Sequence, residues 1–175
     1  MSDHYLKRLP KITTLIFDID GVLTDGIVTI MPNGDQLRSL NSKDGFAIQL
    51  AVRKGFKICV ITGGNSENIK MRLAKMGVTD VYLNIAQKID TYDDIKVMYD
   101  LKDEEIMYMG DDLPDYEIMQ QVGIPACPQN AAREIRDISK YISDQDGGKG
   151  CVRDIIEKVL RAQGKWMTDK SDLTW

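Results

Sequence analysis

The chain has 175 residues, 43% of them apolar and 29% charged, with five prolines and a formal net charge of -4. A domain of this length buries about 70% of the surface its unfolded chain exposes, so disordered, fibrous and metal-stapled classes are excluded. Lys and Arg are interspersed with Asp and Glu, which leaves nucleic-acid binding without an electrostatic footing, and no segment approaches the ~20 apolar residues of a membrane span.

Ile12 to Phe17 is a short β-rich run that stops abruptly at Asp18-Ile19-Asp20-Gly21, where carboxylates and a glycine end a buried strand. Two strand-like runs, residues 26–31 and 36–40, then flank Pro32-Asn33-Gly34-Asp35. Asn-Gly between such runs predicts a β-hairpin. Asp44 is placed to cap a helix that carries Phe46, Ile48, Leu50, Ala51 and Val52 and stops at Gly55. Phe56 to Ile61 is the second buried strand, closed by Thr62-Gly63-Gly64, and a helix beginning near Ser66 follows, with Ile69, Leu73 and Met76 on one face and Gly77 as its stop.

The alternation continues with a strand at 81–83, a helix at 88–99, a strand at 106–109 ending in Gly110-Asp111-Asp112, and a helix at 113–122. A strand at 124–126, a helix at 131–138, a strand at 141–142 and a helix at 150–162 complete it. Strands alternating with helices of this length predict an α/β fold, a three-layer Rossmann-like parallel sheet with helices on both faces. No repeat, low-complexity tract or linker divides the chain, so one domain is expected over 1–175, with its core at 8–163. The polar tail, 164–175, reads as a mobile or partner-docked end, and its removal is expected to change substrate binding more than stability.

The three cysteines, Cys59, Cys127 and Cys151, are far apart and odd in number, as expected of buried free thiols in a reducing compartment. The polar N-terminus has no signal-peptide stretch, so a cytoplasmic protein is expected.

In open α/β sheets, ligands bind beyond the carboxyl ends of the strands, and the residues that close the strands here are Asp18, Asp20, Thr62, Asp111 and Asp112. Like charges ~4 Å apart repel by about 4 kcal/mol per pair at an effective dielectric of 20. Four carboxylates in one small volume therefore call for a cation. A donor set of oxygens without His or Cys suits Mg²⁺. The single histidine, His4, stands apart from these residues, and no Ser or Cys is paired with a base. The available nucleophile is then a carboxylate, which can form an acyl phosphate that water later hydrolyses. Asp18 takes that part, and Asp20, two residues on, is the general acid and base. Thr62, with the Gly63 and Gly64 N–H groups ahead of a helix, offers donors to phosphoryl oxygens, and Lys88 offers a positive charge.

These residues resemble a known family. Asp18-Ile19-Asp20-Gly21-Val22-Leu23-Thr24-Asp25-Gly26, Ile61-Thr62-Gly63, Lys88 and Gly110-Asp111-Asp112 are similar, in order and spacing, to the four motifs of the haloacid dehalogenase superfamily. The resemblance implies magnesium held by Asp18, the Asp20 backbone carbonyl and Asp111, with Asp112 beside it, and Thr62 and Lys88 as phosphoryl ligands. Predicted elements fill the stretches from Asp18 to Thr62 and from Lys88 to Asp111, leaving no room for the cap domain most members carry. The hairpin and Gly147-Gly148-Lys149-Gly150-Cys151-Val152-Arg153 resemble the capless 3-deoxy-D-manno-octulosonate (KDO) 8-phosphate phosphatases of lipopolysaccharide sugar biosynthesis.

That resemblance implies a phosphorylated sugar acid as substrate and a homotetramer assembled through the 26–40 hairpin. It also implies that Arg72 reaches the substrate carboxylate in its own or a neighbouring site. Related phosphatases of nine-carbon sugar acid 9-phosphates carry a glutamate where Gly64 stands, which favours the eight-carbon substrate. The alternatives are a nine-carbon substrate, such as the phosphate of KDN or an N-acylneuraminate, a phospho-accepting receiver, and a noncatalytic assembly domain. A receiver places its lone phosphorylated aspartate on a middle strand, where this chain has Thr62.

Overall fold

The computed structural model describes residues 3–174, and for residues 1–4 and 175, His4 and Trp175 among them, no side-chain placement is described. Among the described residues, eight strands and seven α-helices follow in chain order. They are α1 (Asp3–Leu6), β1 (Thr14–Phe17), β2 (Thr29–Ile30), β3 (Gln36–Leu37), α2 (Ser42–Arg53), β4 (Lys57–Ile61), α3 (Glu67–Lys75) and β5 (Asp80–Tyr82). Then come α4 (Lys88–Tyr99), β6 (Ile106–Met109), α5 (Tyr116–Gln121), β7 (Ile124–Cys127), α6 (Arg133–Ile138), β8 (Tyr141–Ile142) and α7 (Cys151–Ala162).

Six strands form one sheet in the order β5-β4-β1-β6-β7-β8, every neighbouring pair parallel. Because strand side chains alternate between faces, Leu15 and Phe17 enter one core with Ile58, Val60, Met107 and Met109, while Ile16 enters the other with Cys59, Ile61 and Tyr108. Residues of α2, α3 and α7 cover the first face, and residues of α4, α5 and α6 the second. The strongest apolar stripe is on α7, where Val152, Ile155, Ile156, Val159 and Leu160 are fully buried. Each such side chain contributes about 1.5–3 kcal/mol relative to exposure. The three-layer α/β architecture expected from the alternation is the one observed, and no cap is formed among the described residues.

Several local expectations are corrected. Asp44 does not cap α2; Asn41 does, accepting from Lys43 N–H at 2.9 Å. Asp44 sits buried in the first turn and accepts instead from Arg153 N–H at 2.7 Å, joining α2 to the start of α7. Residues 113–122 are not one helix. Pro114 lies in a tight turn over Leu113–Asp115, which Asp112 opens by accepting from Leu113 N–H at 2.8 Å, and only then does α5 begin.

The tail is also not a loose end. Trp166 is only 9% exposed and packs into the first core, with Arg153 and Arg161 over its ring. Asp172 pairs with Lys54 at 2.8 Å, and Arg53 donates to the carbonyls of Ser171 and Thr174. Arg53 and Lys54 end α2 just before β4 begins, so the tail is fixed to the sheet edge opposite the carboxyl ends of the strands.

The hairpin is shorter than its sequence pattern. Only Thr29 with Leu37 and Ile30 with Gln36 pair, and Ile27, Ile30 and Leu37 are more than half exposed. Two strands without a packed face form a marginal ladder.

Candidate active site

β1 is central, and the chain leaves it for β4 and β5 on one side and returns to β6 on the other. The carboxyl ends of β1, β4 and β6 therefore surround the point where strand order reverses, which is where open α/β sheets form ligand crevices. A cleft of about 670 Å³ opens there, lined by Asp18, Asp20, Thr62, Lys88, Asp111 and Asp112 with neighbouring backbone.

After β1 the chain makes one wide turn over Ile19–Leu23, closed by Thr24 N–H to Ile19 O at 2.9 Å. Gly21 at its apex has φ +87°, and a Cβ there would lie 2.0 Å from Asp111 Oδ2. Only glycine permits this approach. The turn is held from behind by a late segment: Gly148 N–H donates to Val22 O at 2.9 Å, and a Cβ on Gly147 would lie 1.8 Å from Gly21 O.

Asp18 is 8% exposed and accepts from Ile19 N–H at 2.6 Å and from Lys88 Nζ at 2.8 Å. Lys88 opens α4 and is 5% exposed, with its ammonium shared between Asp18 and Asp115, 2.7 Å away. Burial works to lower the Lys88 pKa, but the charges of Asp18 and Asp115 outweigh it and the value stands above the ordinary one. Burial raises Asp18 to about 6, with the Asp115 charge adding and Lys88 opposing. Asp111 is raised further, to about 7, by burial and then by the charges of Asp18, Asp115 and Asp112. Thr62 is buried; its hydroxyl accepts from Gly64 N–H at 3.1 Å, which orients the turn after β4.

Sequence reasoning missed Asp115. It is fully buried; Oδ1 takes Lys88 Nζ and Tyr108 O–H at 2.6 Å, and Oδ2 takes Asp111 N–H at 3.0 Å. One oxygen each of Asp18, Asp111 and Asp115 lie within 4.8 Å of one another. Asp115 is fully buried and does not line the cleft, so it braces Lys88 and the Asp111 backbone, while Asp18 and Asp111, which do line it, are the carboxylates that face a cation. Its signal in the sequence was a third acidic residue four positions after Asp111, obscured by the adjoining Pro114.

The other predicted residues are placed as follows. The Asp20 carboxylate lines the cleft and is gripped by Arg38 of the hairpin. Asp112 is exposed, its carboxylate engaged with the turn that follows. Gly63 lines the cleft. Arg72 is exposed in the last turn of α3 and does not line it. The three thiols are buried and unbridged.

Fold and site together define a hydrolase built on a doubly wound parallel sheet, with an acidic, lysine-braced cleft at its switch point. Residues 67–155 match the haloacid dehalogenase-like hydrolase family. The chain is 31% identical over 165 residues to the 3-deoxy-D-manno-octulosonate 8-phosphate phosphatase KdsC of Salmonella typhi, covering 94% of this chain and 88% of that one. The crystal structure of the Yersinia pestis 3-deoxy-D-manno-octulosonate 8-phosphate phosphatase superposes with a TM-score of 0.91 at 29% identity, covering 93% of this chain and 88% of that chain. The Moraxella catarrhalis phosphatase, solved with magnesium ion, phosphate ion and KDO, has a TM-score of 0.88 at 26% identity, with 91% of each chain covered. This chain belongs to the haloacid dehalogenase-like hydrolases. Within them it is a KdsC-like phosphatase, a phosphoric monoester hydrolase.

Proposed function

We propose that the protein hydrolyses 3-deoxy-D-manno-octulosonate 8-phosphate to KDO and inorganic phosphate, in the cytoplasm, as a step of lipopolysaccharide sugar biosynthesis. The observation that carries this reading is the convergence of Asp18, Lys88 and Asp111 on one cleft, in a chain that matches KdsC over nearly its whole length.

The residues fit a magnesium ion: the donors are all oxygen, and burial together with neighbouring carboxylates, Asp115 beside Asp18 and Asp18 and Asp115 beside Asp111, raises both pKa values, an excess of negative charge that a cation relieves. Asp18, Asp111 and the Asp20 backbone carbonyl would hold it, with Asp112 beside it, and it would neutralise charge on the phosphoryl oxygens. An Asp18 oxygen attacks phosphorus, and the bond from phosphorus to the sugar oxygen breaks. Asp20 supplies the proton that leaves with the sugar alcohol. Water then attacks the phosphorus of the aspartyl phosphate, giving a proton to Asp20 and freeing Asp18. Thr62, Gly63 and Lys88 bind the phosphoryl oxygens throughout.

Assembly through the 26–40 hairpin into a homotetramer accounts for its exposed Ile27, Ile30 and Leu37, and a neighbour would then supply Arg72 to the substrate carboxylate. The test is phosphate release from eight- and nine-carbon keto acid phosphates, with and without Mg²⁺. Magnesium-dependent preference for the octulosonate supports the proposal. Preference for a nine-carbon substrate replaces the substrate, and absence of turnover on either leaves a noncatalytic assembly domain.

A further inference from the structure

Arg38 stands just past β3 at the base of the hairpin, and its side chain is only 6% exposed, although the hairpin itself is mostly open to solvent. Its guanidinium meets Asp20 as a fork. Nε donates to Oδ1 at 2.7 Å and Nη2 donates to Oδ2 at 3.1 Å. A two-pronged contact fixes the plane of a carboxylate as well as its position.

The two Asp20 oxygens differ in surroundings. Oδ1 has the shorter Arg38 contact and lies 3.4 Å from Thr24 Oγ1, whose single proton it shares with Ile19 O at 3.3 Å. Oδ2 has the longer contact and faces Gly64 and Thr62. A Cβ built on Gly64 would find Asp20 Oδ2 at 3.3 Å, Thr62 Oγ1 at 3.4 Å and Arg38 Nη2 at 3.7 Å. Anchored oxygen and working oxygen are thus distinguished by geometry.

We infer that Arg38 is a positioning residue for the phosphatase reaction: it holds Asp20 by Oδ1 so that Oδ2 is presented for proton transfer to and from the reacting oxygens. The inference rests on the reading of Asp20 as acid and base. Proton transfer at Oδ2 then requires the longer Arg38 contact, 3.1 Å, to yield to the leaving oxygen while the 2.7 Å contact to Oδ1 stays. Because Arg38 belongs to the hairpin, a displacement of the hairpin moves the proton donor.

The test compares Arg38→Gln, Arg38→Lys, Asp20→Asn and the Arg38→Gln/Asp20→Asn double variant, each as the full chain with Mg²⁺. Two substrates are used: the sugar acid phosphate, whose alcohol needs a proton to leave, and 4-nitrophenyl phosphate, whose phenolate departs without one. Arg38→Gln is expected to lower kcat on the sugar acid phosphate by about 10- to 100-fold, part of the general-acid contribution, with KM nearly unchanged. The nitrophenyl ester is expected to lose less than about threefold, because the proton-transfer advantage is absent for it. Arg38→Lys should restore part of the rate, and it keeps the test open should Arg38→Gln fail to fold. On the sugar acid phosphate, Arg38→Gln should cost nothing further once Asp20 is Asn. Equal losses on both substrates, a change confined to KM, or no loss would overturn the inference. Additive losses beside an impaired Asp20→Asn would overturn Arg38's role alone. Wild-type turnover of the sugar acid phosphate by Asp20→Asn would overturn the acid–base reading, and this inference with it.

Discussion

Lys88 and Asp115, 27 positions apart in sequence, meet at 2.7 Å with side chains 4% and 1% exposed, and the same ammonium reaches Asp18. With Asn at 115, Lys88 keeps Asp18 as its partner, but an amide N–H replaces an oxygen that accepts from buried donors, leaving one of them unpaired at a cost of about 1–3 kcal/mol. Asp115→Asn is therefore expected to lower the unfolding free energy by that order and to reduce activity. Asp112→Asn, on an exposed cap, should cost about 1 kcal/mol or less. Urea unfolding of both variants checks the ranking, and equal destabilisation would remove Asp115 from its bracing role.

The raised pKa values of Asp18, about 6, and Asp111, about 7, define a pH window. Both native values exceed the ordinary 3.8, so the metal-free folded state binds protons more tightly than the unfolded chain. The stability these groups contribute is fully present below pH ~4 and is lost as pH rises through 6 to 7. A cation needs both carboxylates ionised. Magnesium should accordingly bind more weakly at pH 6 than at pH 8 and release protons on binding, with its largest thermal stabilisation at the higher pH. Calorimetry in two buffers of different ionisation enthalpy measures this. A dissociation constant flat from pH 6 to 8, without proton release, contradicts it.

Gly64 lines the cleft beside Asp20 and Thr62. A methyl group there would press Asp20 Oδ2 and Thr62 Oγ1 at 3.3 and 3.4 Å, tighter than ordinary contact. Gly64→Ala is expected to lower kcat/KM by about tenfold, close to 1.4 kcal/mol. Its unfolding midpoint should hold or rise, because alanine restricts the unfolded chain. A stable variant with full activity would show that the Asp20 and Thr62 side chains yield without consequence.

The tail gives a prediction opposite to the one its composition suggests. Trp166→Ala should destabilise by about 3 kcal/mol, and trimming 165–175 should also destabilise, since Asp172 and the Ser171 and Thr174 carbonyls bind the end of α2. Well below the unfolding temperature, kcat and KM should stay near wild type. A changed KM with an unchanged unfolding curve would place the tail at a binding site instead.

The sheet was legible because parallel strands are apolar on both faces and end abruptly. Lys88–Tyr99 and Ile106–Met109 lie at their predicted bounds, and Asp18, Thr62 and Asp111 are each the first polar residue after an apolar run. What stayed hidden depends on partners distant in sequence. Asp115 is defined by Lys88 and Tyr108, from two other elements, and Asp44 turns from cap to brace because Arg153 comes to it across the fold. The tail looked polar and unattached because what holds it lies far away in sequence: Lys54, just past α2, pairs with Asp172, and Arg53 takes the Ser171 and Thr174 carbonyls. The grip of Arg38 on Asp20 spans the hairpin, where pattern gives pairing but not the aim of a side chain.

The Gly147-Gly148 segment, pressed against Gly21 and Val22, has a consequence for biosynthesis. The loop bearing Asp18 is translated 147 − 18 = 129 residues before Gly147 of its backing. A nascent polypeptide can form β1, β4 and β6 and still lack a finished catalytic centre, so activity should appear only when α7 has emerged and docked. Chains interrupted before residue 147 would be inert however well their sheet had formed.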